Sequence, residues 1–229
     1  MSEPDRRPPP PLVVTLAALT VVSGFVDAVS FLGLGHVFTA NMTGNVVLLG
    51  FAAAGAPGFS MGASLCALAA FVVGAVAGGR LARRVQSLRT LLLVAMVIEA
   101  ACTAVAAAVA AVVPAVGSGW PRYTVIALLA VAVGQRNAAV RRVGVPDMST
   151  TVLTTALTGL ASNSLLAGGT NPHARLARTT VLSMFGGALV GAVLVLHAGA
   201  TWALGVAACT VGVTAVFYNR EVPLELTSP

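Results

Sequence analysis

The chain reads Gly24-Phe25-Val26-Asp27-Ala28 and then Thr39-Ala40-Asn41-Met42-Thr43-Gly44-Asn45, and about 110 residues later it reads Gly134-Gln135-Arg136-Asn137-Ala138 and then Ser149-Thr150-Thr151-Val152-Leu153-Thr154-Thr155. These two stretches repeat one polar, glycine-marked pattern in a sequence that is otherwise almost wholly apolar. Each unsatisfied donor or acceptor in lipid carries a free-energy penalty. A repeat this polar therefore marks the place where the function is expected to lie.

The composition around the repeat is that of an integral membrane protein. Of 229 residues, 57% are hydrophobic and 9% are charged, whereas soluble domains are roughly 45–50% apolar and about 25% charged. The length allows about six spans of about 20 residues with short connections. No separate soluble domain fits beside them.

Six apolar runs are long enough to cross a bilayer. They cover residues 12–35, 60–79, 91–113, 123–140, 179–197 and 202–217. Two further segments, 37–54 and 148–167, have a similar length but carry the repeated polar residues. We expect a disordered tail over 1–11, a first membrane repeat over 12–113, a second over 114–218 and a carboxyl-terminal tail over 219–229.

The arginines favour one topology, because all thirteen basic residues are arginine and they lie between the apolar runs. If both polar segments cross the membrane, the arginines divide about evenly between its two sides. If both segments enter and leave on one side and the amino terminus is cytoplasmic, every arginine except Arg122 is cytoplasmic, as the positive-inside rule requires. The sequence therefore predicts an all-α polytopic protein with six transmembrane helices, two broken or re-entrant segments and both termini in the cytoplasm.

A second echo extends the repeat, because the pair Gly74 and Gly78 recurs as Gly187 and Gly191. Each half then holds three spans and one broken segment. An odd number of spans forces the halves into opposite orientations, which predicts an inverted three-plus-three repeat of the kind found in secondary transporters. Glycines four residues apart allow close helix approach. We favour packing between the two halves of one chain, and a homo-oligomer is the alternative.

Two acidic residues, Asp27 and Glu99, fall inside predicted spans. An ionisable residue there has an insertion cost of roughly 2.5–3.5 kcal/mol and is a functional hypothesis by default. Desolvation favours the neutral carboxyl form unless a cation or hydrogen-bond donors are near. We favour Asp27 as a coupling or cation-binding group, with a structural hydrogen bond to the broken segment as the alternative. Glu99 has no counterpart in the second half, which favours a structural role.

The repeated polar side chains are the predicted lining of a solute or ion site. They are Asp27, Asn41, Thr43, Gly44, Asn45, Asn137, Thr151 and Thr154. A helix broken within the membrane must bury its freed backbone groups in protein or line water, and its ends carry partial charge that can hold an ion. The alternative is that the hydroxyl groups bond only to their own helix turns.

Other chemistries have little support in the sequence. Arg136 lies near the cytoplasmic end of the fourth span, where snorkelling to the headgroups is favoured over pairing with an acidic group or an anionic substrate. The arginines form no stripe among aromatic residues, which argues against nucleic acid. The sequence holds no hydrolase, zinc, P-loop or dinucleotide fingerprint. Its three cysteines have no partner at ligand spacing. We expect no enzyme activity, cofactor or metal.

The two polar stretches also resemble a known family. Residues 23–45 closely resemble the signature of the YoaK-like family of bacterial inner-membrane proteins, known as domain of unknown function 1275. Residues 134–142, with the Ser/Thr-rich run after them, look like that family's second signature, and the resemblance covers roughly residues 12–218. It implies a multi-span protein of the bacterial inner (plasma) membrane and no particular activity. Thr155 departs from the pattern, because the repeat would place glycine there.

These observations predict a small transporter or permease in contact with membrane lipid, with a central polar site for an unidentified small solute or ion. One alternative is a channel or passive facilitator, which needs no titrating carboxyl group. Another is a membrane adaptor that transports nothing and whose polar repeats are structural.

Overall fold

The computed structural model of the chain describes residues 9–113, 118–144, 153–164, 167–170 and 174–222. The described residues form eight α-helices, and none of them lies in a β-strand. The helices are α1 (Pro10–Gly33), α2 (Met42–Ala53), α3 (Met61–Arg84), α4 (Leu88–Val112), α5 (Gly119–Val143), α6 (Leu153–Ser162), α7 (Ala174–Ala198) and α8 (Ala200–Glu221). All except α2 and α6 are long and apolar enough to cross a membrane, which confirms the all-α fold with six candidate spans.

The six long helices differ in how much of their surface faces outward. About two thirds of the most apolar stretch of α1 and α5 is buried (67% and 61%), against 17–33% in α3, α4, α7 and α8. Because exposed side chains on the outer helices include large apolar residues such as Val72, Leu182 and Phe185, that surface suits acyl chains. The central helices α1 and α5 carry the repeated polar residues.

The helix ends differ by a few residues from the apolar runs. Helix α1 begins at Pro10, two residues before the predicted span, because the fixed φ of proline suits the first helical position, where no N–H bond is lost. Helix α8 continues to Glu221, into the predicted carboxyl-terminal tail. Residues 1–8 and 223–229, which hold most of both predicted tails, lie outside the described residues.

Glycines bring α1 and α7 into close contact. A Cβ atom at Gly187 would overlap the carbonyl oxygen of Val21, and one at Gly191 would approach the carbonyl oxygen of Phe25 to 2.8 Å. A Cβ atom at Gly24 would in turn overlap the α7 backbone. Because residue numbers rise together along both helices, α1 and α7 run parallel.

The same arrangement joins α3 and α5. A Cβ atom at Gly74 would overlap the carbonyl oxygen of Val131, one at Gly78 that of Gln135, and one at Gly134 the α3 backbone. These two helices are therefore also parallel. Both glycine pairs lie at contacts between the two halves of one chain, as the repeat predicts.

Contacts at the helix termini define two ends of the bundle. At the Gly33 end, where α1 finishes and α3, α5 and α8 begin, Gly35 packs on Arg122 and Gly62 on Tyr123. The Arg84 end is where α3, α5 and α8 finish and α4 begins. There Arg142 donates a 3.1 Å hydrogen bond to the carbonyl oxygen of Val85.

Helix α2 and the described part of α6 are each shorter than a membrane is thick. They have 12 and 10 residues, which at 1.5 Å per residue is about 18 Å and 15 Å, against a hydrocarbon core of about 30 Å. The segment that holds α2 leaves α1 and enters α3 at the same Gly33 end. There the ring Nδ1 of His36 lies 3.1 Å from the carbonyl oxygen of Gly58.

Candidate functional site

Asn41 and Asn45 fix the start of the short helix α2. The side-chain oxygen of Asn41 accepts a 3.2 Å hydrogen bond from the N–H of Gly44, which is an N-cap. Asn45 is fully buried and bridges both backbone groups of Phe38, accepting from its N–H at 2.9 Å and donating to its carbonyl oxygen at 2.6 Å. The bridge satisfies backbone groups that a break in the helix would leave unpaired in the membrane.

Asp27 anchors the same segment to α1. Its Oδ1 accepts hydrogen bonds from the N–H groups of Thr39, at 2.9 Å, and Ala40, at 2.7 Å. The side chain is 5% exposed, and its Oδ2 has no hydrogen-bond partner among the described residues. The structural hydrogen bond that the sequence offered as an alternative is thus present, and one carboxyl oxygen remains unused.

A cavity of about 340 Å³ lies where α2 and α6 meet α1 and α7. Its volume is near the lower limit of ordinary ligand pockets, which span about 300–1,000 Å³. The lining comes from α1, the start of α2, the first described residues of α6, and α7. It consists of Thr20, Ala40, Asn41, Thr43, Gly44, Val47, Leu153, Thr154, Thr180 and Met184.

The cavity lies part-way along the bundle and is open to one side, since Val47 in its lining is 50% exposed. Thr20 is ten residues from the start of α1, so at 1.5 Å per residue it is about 15 Å from that end. Helix α2 begins at the cavity, which directs the positive end of its dipole toward it. The exposed hydroxyl groups of Thr43 and Thr154 make no hydrogen bond to another described residue. The cavity is therefore rich in donors.

Arg136 does not snorkel to the headgroups, so that prediction is wrong. Its side chain is 0% exposed and forms a 2.6 Å ion pair with Glu99, which is itself 1% exposed. It also donates to the hydroxyl group of Ser23 at 2.6 Å. Because an unpaired charge is costly inside a membrane, the guanidinium group turns inward to the acidic group on α4.

The predicted site residues fall into three groups. Asn41, Thr43, Gly44 and Thr154 line the cavity, while Asp27 and Asn45 hold the segment that forms one wall of it. Asn137 lies on α5 and is not among the described residues of the lining. Thr151 lies outside the described residues.

Thr20, Thr180 and Met184 line the cavity but are not among the predicted residues. A signal for Thr20 was present, because Thr20, Gly24 and Asp27 are spaced to share one helix face. Thr180 and Met184 are likewise spaced to share one face of α7 with the repeated Gly187. The Arg136–Glu99 pair also had a signal, since opposite charges within spans tend to pair.

A second depression, of about 550 Å³, lies far from these polar residues. It is lined only by residues of the outward-facing helix α8, including Trp202, Val206 and Val213. Its apolar character suits lipid contact.

Comparisons with known proteins place the chain among membrane proteins. The model of a family described as protein of unknown function (DUF1275) matches residues 15–217. Over 145 residues the chain is 34% identical to the UPF0700 transmembrane protein YoaK of Bacillus subtilis (strain 168). That alignment covers 63% of this chain and 64% of the relative, which is less than two thirds of the relative's length. No solved structure matches the chain.

Proposed function

The chain belongs to the DUF1275 family of multi-pass membrane proteins, and we propose that it is a small-solute permease of the bacterial plasma membrane whose binding site is the central cavity. The proposal is transport rather than catalysis. The observation that carries it is the position of the cavity, about 15 Å along α1, beside the start of the short helix α2 and the first described residues of α6. Transporter sites are typically formed near the membrane midplane by discontinuous helices.

The second part of the proposal is that the two halves form an inverted repeat. The packing of α1 on α7 has its counterpart in the packing of α5 on α3, and that of α2 on α3 in that of α6 on α7. Helices α1 and α5, which carry the repeated sequence, begin at opposite ends of the bundle. Two halves related in this way can rock against each other around a central site.

The lining favours a solute with hydrogen-bond acceptor groups. It offers hydroxyl groups and the first turn of α2, and no described residue of the lining is charged. The partial positive charge at helix starts attracts anions or electron-rich oxygen atoms and repels cations. We therefore propose a small anion or a small neutral polar molecule as the solute.

The arginines supply the proposed orientation. The Arg84 end carries the charged last turns of α3 and α5 and the basic first turn of α7, whereas Arg122 lies at the Gly33 end. By the positive-inside rule the Arg84 end faces the cytoplasm. In this orientation α2 enters from outside, α6 enters from the cytoplasm, and both termini are cytoplasmic.

A proteoliposome swelling assay tests the permease proposal. Stopped-flow light scattering would follow the entry of formate, nitrate, glycerol and urea, with valinomycin present to carry potassium as the counter-ion. We expect swelling faster than in protein-free liposomes for at least one of these solutes and no excess for guanidinium. The variant Thr154→Trp, which fills the cavity, is expected to remove most of the excess.

Thr155→Trp is the matched control, because Thr155 is exposed on the same helix but is not in the described lining. It is expected to swell like the wild type. If no solute enters faster than in protein-free liposomes, or if Thr154→Trp and Thr155→Trp behave alike, the cavity is not a route for these solutes. Absence of entry for every solute would favour a non-transporting adaptor.

A further inference from the structure

Three charged side chains are buried together inside the bundle. Asp27 is 5% exposed, Glu99 is 1% exposed and Arg136 is 0% exposed. They come from α1, α4 and α5, and the charge of Arg136 acts on both carboxyl groups. With every group ionised, two negative charges face one positive charge. A net buried charge of this kind is costly within a membrane.

Arg136, the one positively charged side chain of the three, forms its ion pair with Glu99. Arg136 Nη1 lies 2.6 Å from Glu99 Oε1, and Arg136 Nη2 donates to Ser23, one helix turn before Asp27. Asp27 receives hydrogen bonds from the neutral N–H groups of Thr39 and Ala40, and the neutral backbone N–H of Asn41 also interacts with its carboxyl group. The ion pair thus neutralises Glu99 and leaves Asp27 without a balancing charge.

No other described side chain supplies that charge. The helices packed on α1 are α5, α7 and α8, and apart from Arg136 their charged and histidine side chains lie in the turns near the helix ends. These are Arg122, Arg141, Arg142, Arg175, Arg178, His197, Arg220 and Glu221. The segment 34–41 carries only His36, which is exposed at the Gly33 end.

We propose that Asp27 is a proton-binding site, with one exchangeable proton on its free Oδ2 whenever the Arg136–Glu99 pair is intact. The carboxylate takes up a proton to become a neutral carboxylic acid and returns it to solvent. The other oxygen, Oδ1, keeps its two backbone hydrogen bonds in both states, because a neutral carboxyl group still accepts through its carbonyl oxygen.

The proposed proton site contacts the cavity wall through a single residue, Ala40. Ala40, whose N–H bonds to Asp27, also lines the cavity, and Asn41 caps the helix that begins there. Loss of the proton strengthens the hydrogen bonds that Oδ1 accepts, since bonds to an ionised acceptor are roughly twice as strong as neutral ones. Proton occupancy thus sets how tightly this wall of the cavity is held. This coupling rests on the proposed permease function, whereas the proton site itself does not.

Infrared difference spectroscopy tests the proton site without any solute. Spectra of the full-length protein in lipid nanodiscs, recorded between acidic and alkaline pH, would show the C=O stretch of a buried carboxylic acid. We expect one such band that shifts when aspartate is labelled with ¹³C at the side-chain carboxyl carbon. The band is expected to vanish in Asp27→Asn. It should also vanish in Glu99→Gln, because Arg136 is then free to balance an ionised Asp27.

Glu221→Gln is the control, since Glu221 is exposed at the end of α8, and it should keep the band. If the wild type shows no buried carboxylic acid, or if the band ignores the aspartate label, the proposal fails; this measurement needs no folded variant. Persistence of the full band in Glu99→Gln would also overturn it, by removing the charge balance on which it rests. Failure of solute swelling alone would leave the proton site intact.

Discussion

At the level of single residues, the sequence predicted which polar side chains matter better than what each one does. Asn41 and Asn45 were both expected to line a solute site, but only Asn41 reaches the cavity. Asn45 instead forms hydrogen bonds with the backbone N–H and carbonyl groups of Phe38, seven residues earlier in the chain. The chain must fold back between these positions before the two groups meet, and that fold-back is a tertiary feature that residue spacing does not encode.

Asn45→Leu tests this structural role. The substitution keeps the approximate size of the side chain but leaves both backbone groups of Phe38 without their partner. Each buried group left unsatisfied costs about 1–3 kcal/mol. We expect a lower thermal denaturation midpoint in detergent, measured by tryptophan fluorescence or by loss of the monodisperse peak after heating.

Val46→Ala is the matched control for Asn45→Leu. Val46 is the next residue of α2 and is 59% exposed, so its truncation should change stability by no more than about 0.5 kcal/mol. Equal denaturation midpoints for the two variants would show that the Asn45 bridge contributes nothing measurable.

At the level of helices, the six long elements could be predicted because apolar length alone specifies a span. The short helices could not be bounded so well. The polar segment 37–54 contains a helix that begins only at Met42, and the described part of 148–167 is helical from Leu153 to Ser162. The start of α2 depends on the Asn41 cap and on the carboxyl group of Asp27, which lies on another helix. Thr155, where the repeat would place glycine, lies among the first described residues of α6.

Gly187 and its neighbour Gly186 provide a test of the contact between α1 and α7. A Cβ atom at Gly187 would overlap the α1 backbone, whereas one at Gly186 meets nothing within 4 Å. Gly187→Ala should therefore destabilise the protein by about 1–3 kcal/mol, the usual cost of overpacking. Gly186→Ala should be neutral or stabilising by up to about 1 kcal/mol, because alanine favours helix. Thermal denaturation in nanodiscs compares the two.

The other half of the chain repeats the test. Gly78 packs against α5, and Gly79 beside it has no neighbour within 4 Å. Gly78→Ala and Gly79→Ala should differ in the same direction as the α7 pair. If only one half shows the difference, the two glycine contacts do not contribute equally to stability. The two halves would then resemble each other in sequence more than in packing.

At the level of the whole molecule, the sequence indicated the number of spans and a polar site between the two broken segments, but not the α1 and α7 residues that complete the cavity. The cavity combines α1 and α2 with α6 and α7, and the α7 residues in its lining carry no repeated pattern. Its existence follows from glycine contacts that set the distance between α1 and α7. The sequence shows the pairs of glycines but does not show which helix each pair packs against.

The topology of the short helices can be measured directly by thiol labelling. In a background with Cys66, Cys102 and Cys209 changed to alanine, His36→Cys and Ala54→Cys lie before and after α2 and are both exposed. A membrane-impermeant maleimide added to right-side-out vesicles should label both positions, because the segment leaves and re-enters at the Gly33 end. His36 already has a positive φ of 56°, so cysteine there adds no new backbone strain.

The second short helix should give the opposite result. Arg142→Cys and Thr170→Cys flank α6 and are exposed, and both should react only in inside-out vesicles if the Arg84 end is cytoplasmic. A full crossing by α2 would place His36 and Ala54 on opposite sides, and a full crossing by α6 would separate Arg142 from Thr170. A full crossing by α2 would give the first half four crossings and make the two halves parallel, whereas a full crossing by α6 alone would give the halves unequal numbers of spans. Either result would remove the inverted three-plus-three arrangement.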